Sequence, residues 1–300
     1  MKKLATFCFG LLFSMGSVHS QDPSPPSQPA TPVRVPGQPN SPQEMLAFNQ
    51  LRVLPTAGER VREGLAFLAA FPDSGLSSYV HHVLANAYGL DDPEKYAQHA
   101  EIALSEIPGF PSLQSNLAFI YAETGKTALG AERGRAALQL IQGMGKPEPI
   151  SEVDWLLLKM EVGGQSNYAI GRHLLGQAEP ERPDSVKTLE EASQYLQRAI
   201  EQLPDDPYAS FRLAESFLQR GILDQAMTYF ARTVAVGGSV GAIADTRLRE
   251  IYQEVHSGTE GLNELLEAQV VALEKARAAQ KAMLDTFNAP KPTPGTPPRS

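Results

Sequence analysis

The feature that most constrains this sequence is a leucine followed four residues later by an aromatic ring, found four times: Leu84 and Tyr88, Leu117 and Tyr121, Leu213 and Phe217, Leu248 and Tyr252. Leu84 and Leu117 stand 33 residues apart, and Leu213 and Leu248 stand 35 apart. Residues four apart share one face of an α-helix, and a period of this length leaves room for a pair of helices with their turns. The fullest copy runs Tyr208, Phe211, Leu213, Ala214 and Phe217, then Gly221, Leu223, Ala226 and Phe230. Another runs Leu117, Ala118 and Tyr121, then Gly125, Ala131, Ala137 and Leu138. A small residue after the leucine lets two helices of a hairpin approach closely, and the aromatic fills the gap to the neighbouring hairpin.

Punctuation between these segments supports short helices. Pro55, Pro72, Pro93, Pro108, Gly125, Pro147, Pro204 and Gly221 break the chain at intervals that predict helices of roughly 10 to 16 residues. Ser41-Pro42-Gln43-Glu44 supplies an N-cap serine, a proline at the first helical position and a glutamate three residues after the cap. With 42% hydrophobic residues the chain has enough apolar surface for a sizeable core, and 7% aromatics with one tryptophan suit close helix packing more than a sheet.

These residues resemble the tetratricopeptide repeat family, in particular its secreted bacterial members. The resemblance spans about Gly58 to Lys275 and is sharpest over Pro111 to Gln142 and Pro207 to Gly238. It implies an all-α fold, a right-handed superhelical solenoid of antiparallel helix hairpins with about five to six repeats, filling residues 43–287. Phe71-Pro72-Asp73-Ser74 looks like a repeat ending of envelope members, and Asp92 to Pro108 is a looser copy carrying Ala97, Ala100 and Ala103. The fourth unit departs from the pattern. Ser151 to Leu175 reads as one long helix kinked at Gly163-Gly164 or as two helices, and Ala178 to Lys187 reads as an inserted loop. The last unit resembles a terminal repeat, whose second helix is expected to reach about Phe287 with Leu266, Leu273 and Ala276 on its buried stripe.

The ends of the chain read differently. Lys2 and Lys3, an apolar run from Leu4 to Met15 and a polar stretch closing on Ser20 predict a signal peptide over 1–20, cleaved before Gln21. The expected location is therefore periplasmic or extracellular. Residues 21–42 hold eight prolines and predict an extended linker, reaching roughly 70 Å in polyproline II form. Residues 288–300 predict a second Pro-rich tail. Cys8, the single cysteine, lies inside the predicted signal, so the mature chain is expected to form no disulfide. The formal charge is -8; removing Lys2 and Lys3 leaves 24 basic against 34 acidic residues, or -10. An acidic chain without a basic stripe argues against nucleic acid as partner, and no segment after the signal is apolar for long enough to span a membrane.

Catalytic and metal motifs are weak. Gly125-Lys126-Thr127 ends like a phosphate-binding loop, but Ile120 stands where the first glycine is needed, which favours an inter-helix turn. His81 and His82 are adjacent, point about 100° apart on a helix and cannot act as an i, i+4 metal pair. His99 and His173 have no ligand-type residue at ligand spacing. Glu190-Glu191, Asp205-Asp206 and Asp91-Asp92 read as solvated helix caps. The expectation is no enzyme, no metal and no cofactor, but a protein or peptide partner held on the concave face that the resemblance implies. Counting from each repeat's leucine, with Ile170 in the fourth unit, places Tyr79, His82 and Asn86 on that face, then Ser115, Asn116 and Phe119. Tyr168 and Arg172 follow from the fourth unit, Tyr208, Phe211, Glu215 and Gln219 from the next, and Glu250 and Gln253 from the last. Rings interleaved with amides suit an extended peptide. His82, Asn86 and Asn116 fall where some cytosolic members of the family clamp a C-terminal carboxylate, but the clamp's lysines and arginine are missing. Alternatives are a structural or envelope-polymer-binding role through Tyr79, Tyr168, Tyr208 and Phe211, an uncharacterised hydrolase, and self-association.

Overall fold

Capping chemistry sets the boundaries of the first helices. Ser41 accepts a hydrogen bond from the Glu44 amide at 3.2 Å, Pro42 opens the helix, and the Glu44 carboxylate accepts from the Asn40 amide. Thr56 and Glu59 close a reciprocal capping box at the next start. The computed structural model describes residues 36–179 and 184–288, and its described regular structure is twelve α-helices without a strand. They are α1 (Pro42–Arg52), α2 (Ala57–Ala70), α3 (Ser77–Tyr88), α4 (Pro93–Glu106), α5 (Pro111–Glu123) and α6 (Thr127–Gly143). After these come α7 (Glu152–Gln177), α8 (Ser185–Gln202), α9 (Pro207–Gln219), α10 (Leu223–Val236), α11 (Gly241–His256) and α12 (Leu262–Asn288). Proline stands at the start of α1, α4, α5 and α9, where its missing N–H costs no intrahelical bond.

From α1 to α11 each helix packs on the next along the chain, and α5 lies against α7 as well. The four repeated leucines are wholly buried, and Ala85, Ala118 and Ala214, which follow three of them, are buried too. Gly125 and Gly221 occupy matching turns, with φ of 83° and 70°, a conformation that a side chain disfavours. Close approach of backbones is written into α6. A Cβ on Gly130 would sit 2.8 Å from the Ala118 carbonyl oxygen, and one on Gly134 would sit 2.9 Å from that of Ser166. The core falls into successive clusters. Phe48, Leu51, Phe67 and Val80 join α1 to α3, Tyr96, Leu104 and Leu113 join α4 to α5, and the largest cluster runs from Ala118 to Leu262.

Of the two readings of Ser151 to Leu175, one long helix or two, the structure has the first, because α7 is a continuous helix of 26 residues. Its Gly163 and Gly164 instead make room for the α8–α9 turn, since added Cβ atoms would meet Gln202 Nε2 at 2.5 Å and Leu203 Cδ1 at 2.4 Å. The inserted loop is shorter than Ala178 to Lys187, because Ser185 to Lys187 already belong to α8; residues 180–183 lie outside the described residues. In α12 the expected stripe is present, with Leu273 buried and Leu266 and Ala276 half-buried, but it packs on α10 and reaches α7. Near its far end Arg277 donates to Asp205 at 2.5 Å and Gln280 to the Gln202 carbonyl at 3.2 Å.

The expected signal peptide, most of the linker and the tail from residue 289 lie outside the described residues. Within them, no helix is long and apolar enough to cross a membrane.

Candidate functional site

Five helices and the α3–α4 and α8–α9 turns converge on a cavity of about 330 Å³. Helical spacing supplies the walls: His82 and Asn86 on α3, Ser112, Asn116 and Phe119 on α5, Leu158, Glu161 and Gln165 on α7. Tyr96 enters from α4, and Leu203, Asp206, Pro207 and Tyr208 come from the α8–α9 turn and the start of α9. Leu117 on α5 and Val162 on α7, next in sequence to the lining residues Asn116 and Glu161, are wholly buried in the core.

Support behind the walls is built from hydrogen bonds and ring contacts. The Ser115 hydroxyl lies 2.9 Å from Gln165 Oε1 and 3.0 Å from the Ser112 carbonyl oxygen, two acceptors that share its one proton, and it stands behind an amide that lines the cavity. Phe119 meets Tyr208 edge to face, with centroids 5.4 Å apart, and Tyr168 lies behind both at 5.2 and 6.4 Å. Tyr168 is itself wholly buried and donates to the Glu123 carboxylate. Arg212 faces Glu123 at 3.7 Å and Glu215 at 2.9 Å, locking the underside of this aromatic group. Asp206 caps α9 by accepting from the Tyr208 amide at 2.8 Å.

Enclosure shifts the charges of the wall. Burial pulls His82 down to about 4, so its ring is neutral near pH 7. Burial pushes Asp206 up to about 6, against the opposing pull of amide hydrogen bonds from Tyr208 and Ala209, and the Glu123 charge adds to the rise. Burial also raises Glu161, and it raises Tyr96 well above the usual phenol range, with a small opposing effect of Asn116. The Asn116 amide is near enough to act on the Tyr96 hydroxyl, yet no hydrogen bond of good geometry closes on that oxygen. Glu161 has no hydrogen bond and no ion pair among the described residues, and no lysine or arginine lines the cavity.

Of the fourteen residues that the repeat spacing points to, His82, Asn86, Asn116, Phe119 and Tyr208 line this cavity together. Tyr79 is adjacent: its ring packs on Phe110, which in turn packs on His82. Ser115, Tyr168 and Phe211 are buried supports rather than contact residues. Ser115 sits 0% exposed, Tyr168 0% and Phe211 7%, the last against Phe230. Arg172, Glu215, Gln219, Glu250 and Gln253 are not brought to the cavity; Glu215 and Glu250 are held by Arg212 and Arg247 within their own helices. The envelope-polymer alternative through Tyr79, Tyr168, Tyr208 and Phe211 thereby loses two of its four rings to the core.

Tyr96, Glu161, Gln165 and Asp206 are the residues that the spacing misses. Counting from the repeated leucines reaches only the helices that carry them, α3, α5, α9 and α11, whereas Tyr96 lies on α4 and Glu161 on α7. Asp206 is a helix cap, as its Asp-Pro sequence signals, but an enclosed one. Its one available signal was its position two residues before Tyr208.

The other motifs resolve as packing. Gly125 makes a turn, Lys126 extends over the Tyr121 ring at 5.5 Å, and Thr127 contacts His173. His81 pairs not with His82 but with His99, Nδ1 to Nδ1 at 2.8 Å, beside the stacked Tyr88 ring. Among the described residues no three His, Cys, Asp or Glu side chains are grouped to hold a metal ion. No protein-family model and no curated protein matches the chain.

Proposed function

We propose that this chain is an exported tetratricopeptide-type solenoid that holds a peptide segment of a protein partner in the cleft walled by α3, α5, α7 and α9. The observation that carries this reading is the cavity itself. Its volume of about 330 Å³ suits one or two side chains of an extended segment, and its walls combine apolar area with a few convergent polar groups. Phe119 and Tyr208 offer rigid aromatic rings that lose little entropy on binding, while Asn86, Asn116 and Gln165 offer amides to a peptide backbone. The Leu-x-x-x-aromatic spacing supports the repeat assignment, and the N-terminal charge and hydropathy pattern support export to the periplasm or beyond.

A photo-reactive amino acid at Asn86 tests the reading in the native host. It should crosslink one discrete envelope or secreted protein, whereas the same group at exposed Glu254 on α11 should not. Replacing both Phe119 and Tyr208 with Ala should weaken that capture by roughly tenfold or more, about 1.4 kcal/mol per decade. Equal crosslinking from both positions, or full capture by the folded double variant, refutes binding in this cleft. Intact mass of the purified protein should give Gln21 as its first residue.

A further inference from the structure

The cavity wall carries formal charge of one sign only. Glu161 and Asp206 are acidic, no lysine or arginine lines the cavity, and His82 is held neutral. Glu161 is half-buried and meets no donor among the described residues, which leaves a desolvated carboxylate without compensation. A second group points to the same kind of visitor. The Tyr96 hydroxyl oxygen is enclosed without a hydrogen-bond partner of good geometry, its residue is 4% exposed, and Asn116 and Glu161, the polar groups that act on it, also line the cavity. Phe119 and Tyr208 complete the wall with two aromatic rings and no basic group.

We infer that the cavity takes the cationic end of a lysine or arginine side chain from the bound peptide, with Glu161 as counter-ion and Tyr96 as a further acceptor. This deepens the peptide-binding reading and rests on it. A primary ammonium has three donors and no acceptor, which matches a carboxylate, a phenol oxygen and an amide oxygen presented together. Asp206 adds negative potential while its cap bond to the Tyr208 amide holds it in place. The aliphatic stem of such a side chain lies along Leu158 and Leu203. The overall charge of -8 favours encounter with a basic partner.

Calorimetric titration of the purified protein tests this with three probes: a capped pentapeptide with lysine flanked by two alanines on each side, the same peptide with norleucine in place of lysine, and n-butylammonium. The lysine peptide should bind at least tenfold more tightly than the norleucine peptide. Glu161→Gln should remove that preference while the far-UV helical spectrum stays unchanged. Norleucine binding as tight as lysine, or an unchanged preference in Glu161→Gln, overturns the cationic anchor and leaves peptide binding standing. Butylammonium binding without either peptide overturns the peptide as source of the cation. Binding of none of the three overturns the site.

Discussion

His82 and Asp206 share one cavity but respond to acid in opposite senses. The His82 ring titrates at about 4 in the fold and near 6.5 in the unfolded chain. Its contribution is therefore complete above 6.5 and is lost as pH falls towards 4. Asp206 titrates at about 6 in the fold and near 3.8 unfolded, so its contribution is complete below 3.8 and is lost as pH rises through 6. Between about 4 and 6 the two slopes oppose each other. His82→Phe should gain stability relative to the parent as pH falls from 6.5 to 4. Asp206→Asn, which keeps a capping side chain, should gain about 1 to 3 kcal/mol at pH 7 and match the parent below pH 3.8. Thermal unfolding across pH 3.5 to 7.5 reads both, and parallel curves for parent and variants refute the assignment. Side chains also divide by role at this scale. Phe211→Ala should cost about 3 to 5 kcal/mol in urea unfolding, because its ring is packed against Phe230 in the core, whereas Tyr208→Ala should cost much less.

Helix contacts explain which substitutions the elements tolerate. Gly134→Ala places a methyl against the Ser166 backbone, which cannot swing aside, and should destabilise by about 1 to 3 kcal/mol. Gly176→Ala, on the exposed end of α7 where the nearest atom is Arg172 Nη1 at 3.7 Å, should stabilise by up to about 1 kcal/mol. Chemical denaturation of the two variants separates them by sign. The elements themselves were legible in sequence because caps and periodicity are local: Ser41, Asp92, Ser151 and Asp206 each cap a helix through a neighbour within three residues. Half-legible was the candidate face. The count from Leu84, Leu117, Ile170 and Leu213 finds Asn86, Asn116 and Tyr208, but sends Tyr168 and Phe211 to the surface when packing sends them inward. The place of Glu161 in the cavity wall was not legible, since its cavity exists only once α4, α7 and the α8–α9 turn, remote in sequence, are packed together.

At the scale of the whole molecule, the clusters of buried residues predict graded stability. The N-terminal cluster of Phe48, Leu51, Phe67 and Val80 spans only α1 to α3, while the largest runs from α5 to α12. Amides of α1 and α2 should exchange hydrogen earlier than those of α9 and α10, at denaturant concentrations that leave the rest folded. Simultaneous exchange of both groups in a native-state titration contradicts this. Arg277→Ala should barely change global stability, because an exposed ion pair contributes about 0 to 1 kcal/mol.

The return of α12 to α7 has a mechanical consequence. A row of helices that touch only their neighbours along the chain can open and close by small rotations summed over every joint, like a loose spring. Here α12 ties α10 to α7 and, through Gln280 and Arg277, to the α8–α9 turn that carries Asp206 and Tyr208. That tie closes a mechanical ring around α7 to α10. A pull along the chain should therefore meet more resistance in α7 to α12 than in α1 to α4, and a change in the mouth of the cleft is expected from the α3 side, where His82 and Asn86 stand.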